Sequence, residues 1–90
     1  MIVTRRTLAQ KLTDYLLHRA TFSHLVDWAE FVMMDAEFEE QYFELIREIV
    51  ARLGVADVRA FGITLESCEE FLAKLGYRIS FTVTEYAAAA

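Results

Sequence analysis

Proline is missing from this 90-residue chain, and glycine occurs only at Gly54, Gly62 and Gly76. A flexible linker or disordered arm therefore has no compositional support. Glycines so scattered cannot build a phosphate-cradling loop. The single cysteine, Cys68, can make neither an internal disulfide nor a Cys-x-x-Cys pair. His18 and His24 stand six apart across an expected helix break, and no His-Glu-x-x-His pattern occurs. No metal, no cofactor and no Cys-His or Ser-His-Asp nucleophile is expected from such a set. No run of 18 apolar residues is present, and Met1-Ile2-Val3 is too short for the apolar core of a signal peptide. A cytoplasmic protein with no membrane partner is expected.

Bases are scarce as well, nine Lys and Arg against fourteen Asp and Glu, for a net charge of −5. The imbalance is local. Residues 1–20 carry four bases and one acid, residues 27–48 one base and eight acids, and residues 49–90 four bases and five acids. Nucleic-acid binding needs a basic stripe. Arg5, Arg6, Lys11 and Arg19 offer a small one that the acidic middle opposes, so no nucleic-acid partner is expected.

Apolar residues, in contrast, are abundant at 56%, against roughly 45–50% in ordinary domains. A chain of this size buries only about 60–65% of its unfolded surface, so part of the apolar excess is expected to be covered by another chain. The length fits one domain over residues 1–86, with Ala87–Ala90 reading as a tail outside the fold.

Periodicity predicts an α+β, mostly α domain of four helices and a C-terminal strand. Helix 1 runs from about Arg5 to Arg19 behind Thr4 or Thr7, with Leu8, Leu12, Tyr15 and Leu16 inward, and His18 and Arg19 in its last turn. Helix 2 runs from about Phe22 to Met34 or Ala36 behind Thr21 or Ser23. Its inward face is Phe22, Leu25, Ala29, Val32, Met33 and Ala36. A break near Asp35, where Asp35 can cap, separates it from helix 3, about Glu37 to Leu53, which Gly54 stops. A helical turn is expected within Val55–Ile63. Thr64 then caps helix 4, Leu65 to Leu75, with Leu65, Cys68, Phe71, Leu72 and Leu75 inward and Gly76 as its stop. Tyr77, Ile79, Phe81 and Val83 alternate with polar residues, which predicts a strand over Tyr77–Thr84 whose edge needs a partner.

The stretch Asp27–Glu48 concentrates both charge and aromatics. On the expected helix 3, Glu37, Glu40, Glu44 and Glu48 share one face, and Glu40–Glu44–Glu48 are like-charge neighbours one turn apart, each pair costing roughly 0.2–0.5 kcal/mol. Carboxylates on one solvated face lack the contrasting environments of an acid–base pair, and Cys68 falls in an apolar stripe, so no catalytic residue is expected. Two readings of the face stay open. It is a charged wall neutralised by the bases of helix 1, or an acidic surface for a basic protein. In the second reading Asp35, Glu37, Glu40, Glu44 and Glu48 supply charge, and Trp28 and Phe31 supply aromatic anchors.

The layout itself has a parallel. A first helix, the polar break Arg19-Ala20-Thr21, the segment Phe22-Ser23-His24-Leu25-Val26-Asp27-Trp28 and an acidic, aromatic third helix resemble small helical bacterial immunity proteins of the colicin type. The resemblance spans residues 5–53 and rests on layout and composition. It implies a small, acidic, cytoplasmic, non-enzymatic protein that neutralises a basic nuclease toxin through an acidic face. The alternating segment Tyr77–Thr84 has no counterpart in that all-helical pattern. The alternative expectation is a homodimer formed through Tyr77–Thr84 or through the Trp28–Phe31 face.

Overall fold

The computed structural model describes residues 1–56 and 63–80. In chain order they form β1 (Ile2–Val3), α1 (Arg5–Leu16), α2 (Phe22–Asp35), β2 (Glu37–Phe38), α3 (Phe43–Gly54) and α4 (Leu65–Lys74). The described part is thus mostly helical.

Three of the helices start on the same device. Thr4, Thr21 and Thr64 hold extended backbone, and their hydroxyls accept from the N–H groups of Thr7, His24 and Ser67 at 3.1, 3.0 and 3.0 Å. Each such cap satisfies an otherwise orphaned donor, worth about 1 kcal/mol. Two of the helices also end alike. In α4 the Gly76 N–H donates to Ala73 O and the Tyr77 N–H to Leu72 O, with Gly76 at φ 97°. In α1 the His18 N–H donates to Tyr15 O and the Arg19 N–H to Asp14 O, with His18 at φ 61°. This paired bonding around one left-handed residue closes a helix C-terminus. Helix α1 therefore stops at Leu16, and His18 and Arg19 lie beyond the last turn expected to hold them.

The largest departure from the periodicity lies between α2 and α3. Ala36 leaves the helix at φ −100°, ψ 157°. Glu37 and Phe38 then pair in parallel with Ile2 and Val3, and the N–H groups of Glu37 and Glu39 donate to Met1 O and Val3 O, both at 3.0 Å. The helix expected from Glu37 begins only at Phe43, behind Tyr42, which makes no side-chain cap bond. The break falls at Ala36, and Asp35 is the last residue of α2 rather than a cap. The Oε1 of Glu39 accepts the Arg5 N–H at 2.7 Å, so the same turn satisfies a donor at the start of α1.

One core joins the elements. It is built from Val3, Leu8 and Leu12, from Leu25, Ala29 and Val32, from Ile46, Ile49, Val50 and Leu53, and from Cys68, Phe71, Leu72 and Leu75. Met33 and Leu65, expected inward, are 41% and 49% exposed. Helices α2 and α3 pack most extensively. They run antiparallel: Met33 and Ala36 lie beside Phe43 and Arg47, while Glu30 Cγ lies 3.7 Å from where a Cβ on Gly54 would stand. Residues 77–80 form no strand. The rest of the expected strand, Phe81–Thr84, lies outside the described residues, as do most of the expected turn after Ala56 and the alanine tail. Among the described residues no helix is long and apolar enough to cross a membrane.

Candidate partner-binding surface

The seven residues expected to bind a partner do not form one patch. Trp28 is half-buried against the core, with Lys11 Nζ 5.5 Å from its ring centroid, so it belongs to the seam between α1 and α2. Phe31 is 50% exposed on α2. Asp35 is exposed at the end of α2, and Glu40 is exposed in the turn before α3. Of the four glutamates only Glu44 and Glu48 share a helix, because β2 and its turn replace the first part of the expected helix 3. The single row of four glutamates on one helix is therefore not formed.

Glu37 nevertheless returns to the same side of the molecule. It lines a cleft with Met33, Ala36, Phe38, Phe43 and Arg47. A second cleft is lined by Met33, Glu44, Leu45, Arg47, Glu48 and Ala51. Met33 and Arg47 belong to both, so the two clefts adjoin at this pair, beside the seam of α2 and α3, and together make one acidic, partly apolar groove face. Phe43, Arg47 and Ala51 recur every fourth residue and make a continuous row along one wall. The rings of Phe38 and Phe43 meet at 5.9 Å and 54°, an edge-tilted contact that holds one end of the groove. Phe43 is 45% exposed there. Periodicity places Met33 inward and does not single out Phe43; for Phe43 the row Phe43–Arg47–Ala51 is the signal that marks it.

The charge of this groove is not cancelled from within. Among the described residues the ion pairs are Arg19–Asp14 at 3.7 Å and Lys74–Glu70 at 3.5 Å. Neither involves Glu37, Glu40, Glu44, Glu48 or Arg47. Three of the four bases of residues 1–20 are engaged elsewhere. The Arg5 guanidinium donates to Leu75 O at 2.8 Å and lies 5.3 Å from the ring centroids of both Tyr42 and Tyr77. Lys11 covers Trp28 and Arg19 pairs with Asp14. Farther along the chain, Arg52 lies 4.7 Å from the ring centroid of Phe71. Among the described residues no base of helix 1 forms an ion pair with the acidic face.

Chemistry elsewhere is sparse. Burial pushes the Cys68 thiol up to about 11 from 9.0, which keeps it protonated and unreactive near neutral pH. Among the described residues no three His, Cys, Asp or Glu side chains cluster as metal ligands would. Compared with protein-family models, with curated proteins and with solved structures, the chain gives no significant match in any of the three.

Proposed function

We propose that this chain is a non-enzymatic protein-binding domain that holds a basic protein on its acidic α2–α3 side. One observation carries the reading: Glu37, Glu44 and Glu48 rim a partly apolar groove with no ion-pair partner among the described residues. Unneutralised carboxylates raise the encounter rate with a basic partner, and half-exposed Met33 and Phe43 supply apolar contact once it docks. An immunity-like role, neutralising a basic toxin in the cytoplasm, is the most specific form of this function and rests on the resemblance of residues 5–53. The test is affinity capture from the source cell with wild type and with Glu44→Lys/Glu48→Lys. A basic protein retained by wild type at low salt, and lost both in the variant and as salt rises, is expected. Recovery of no basic protein overturns the reading.

A second reading, self-association, is favoured by Phe31 and Met34, which stand three apart on α2 at 50% and 85% exposure and line neither cleft. Sedimentation equilibrium decides it. A dimer that Phe31→Ser/Met34→Ser dissociates supports self-association, and a monomer at all concentrations removes it.

A further inference from the structure

We infer that the α2–α3 groove receives a basic amphipathic α-helix of the partner, with its apolar face on Met33 and Phe43 and its cations on Glu37, Glu44 and Glu48. The inference rests on the proposed function and adds the form of the partner. The groove's geometry selects a helix. Its two clefts adjoin along α3 where Met33 of α2 lies beside it, and the row Phe43–Arg47–Ala51 is a ridge with a four-residue repeat, spanning about 12 Å or two turns. Ridges of that repeat interdigitate with the grooves of another helix. Helix-in-groove recognition reads anchors at i, i+3, i+4 and i+7, which two turns can hold. Glu44 and Glu48 lie one turn apart beside the ridge, so they match cations one turn apart on the incoming helix. An extended chain would find no comparable template, because the one strand at the groove, β2, is two residues long.

A second copy of this chain fits poorly. Helix α1 is its most basic helix, but Leu8, Ala9 and Leu12 are already buried in the core and Arg5 and Lys11 are engaged with aromatic rings. No apolar stripe remains on α1 to enter the groove. A phosphate-bearing surface, whether nucleic acid or membrane, would meet the glutamate rim and be repelled.

Arg47 makes the proposal sharp, since it places one cation in the middle of an otherwise acidic site. Removing it should tighten the seating of a lysine-rich helix, whereas binding at any other acidic surface would be indifferent to it. The probe is a synthetic peptide of about 14 residues, with leucines at i, i+3, i+4 and i+7 and lysines elsewhere. Its control is a scrambled peptide of identical composition. Titration into the full chain by fluorescence anisotropy, with circular dichroism of the mixture, is expected to show four results. The amphipathic peptide binds about tenfold more tightly than the scramble and gains helix on binding. Met33→Ser and, separately, Phe43→Ser each weaken it about tenfold. Glu44→Gln/Glu48→Gln weakens it and flattens its salt dependence. Arg47→Ala strengthens it. Equal binding of the two peptides, binding without helix gain, or indifference to both Met33→Ser and Arg47→Ala overturns the inference. Thermal unfolding of each variant confirms that it is folded, and Met33→Ser keeps the test decisive should Phe43→Ser lose stability. Failure with the peptide alongside Glu44/Glu48-dependent capture of a folded basic protein removes the helix mode and leaves the proposed function standing.

Discussion

Arg5 joins distant parts of the chain through both its backbone and its side chain. Its N–H meets Glu39, 34 positions away, and its guanidinium meets Leu75 O, 70 positions away, between the rings of Tyr42 and Tyr77. The start of α1, the turn before α3 and the end of α4 are thereby tied at one point. Gly76 is required there by its positive φ of 97°; a Cβ would also lie 2.8 Å from Arg5 Nη1 and push that guanidinium aside. A planar guanidinium can lie against two rings while its edge donates; a lysine ammonium is a compact point charge without that flat face. Arg5→Lys is therefore expected to lower stability by about 1–2 kcal/mol although charge is kept. Urea denaturation checks it, and a midpoint within error of wild type would show that the stack contributes nothing. Cys68 gives a second expectation, read from pH. Its thiol pKa is raised by burial to about 11 from 9.0, so the folded state holds the proton more tightly. The contribution is complete below pH 9 and is lost as pH rises toward 11, at about 1.4 kcal/mol per pH unit. Cys68→Ala lacks this slope. The stability gap between wild type and Cys68→Ala should narrow between pH 8 and 10.5, and a constant gap would contradict the burial argument.

Among the elements, what the sequence reveals and what it hides divide by range. Threonine caps, a glycine stop and apolar stripes act within four or five residues, so the starts of α1, α2 and α4, the end of α4 and most of the core could be read from the chain. The start of α3 could not. Phe38, Tyr42 and Leu45 have helical spacing, but Glu37 and Phe38 are drawn into a ladder with Ile2 and Val3, a long-range pairing that local periodicity does not register. The same pairing dissolves the expected four-glutamate row yet swings Glu37 to the groove. Of the expected site residues, Glu37, Glu44 and Glu48 meet there, Asp35 and Glu40 stand exposed outside both clefts, and Trp28 turns toward α1. The end of α1 was hidden for a different reason, since His18 fills a left-handed position usually given to glycine. The α4 end, with Gly76 in the matching place, shows what α1 lacks. A non-glycine residue at such a position carries a cost of roughly 1–2 kcal/mol, partly offset in the unfolded chain by glycine's greater freedom. His18→Gly should therefore stabilise the protein by about 0.5–1 kcal/mol, measured as a raised melting temperature with an unchanged circular dichroism spectrum. A lower melting temperature would mean that the imidazole makes a contribution beyond its backbone.

At the scale of the whole molecule, the charge distribution sets stability against binding. The net charge is −5 and eight of the acids lie within residues 27–48, with none of Glu37, Glu40, Glu44 or Glu48 in an ion pair among the described residues. Folding brings these like charges together, and added salt screens them, the Debye length falling from about 30 Å at 0.01 M to about 3 Å at 1 M. Sodium chloride should therefore raise the melting temperature of the free protein and, over the same range, weaken its complex with a basic partner, because one screening acts on repulsion in the first case and attraction in the second. A face already neutralised by its own bases would show the reverse for stability, a melting temperature that is flat or falls with salt. Glu48→Lys separates the two effects within one chain. It replaces the repulsion with Glu44 by an i,i+4 attraction, but it also turns the i,i+4 attraction to Arg52 into a repulsion, each change worth about 0.5–1 kcal/mol. The variant should therefore melt close to wild type at low salt and, with less net charge, respond less to added salt. The same variant should bind the basic partner more weakly, since a cation now stands on the groove rim. A variant that binds the basic partner as tightly as wild type would place the partner away from Glu48, and the acidic groove would then be no more than a solvated wall.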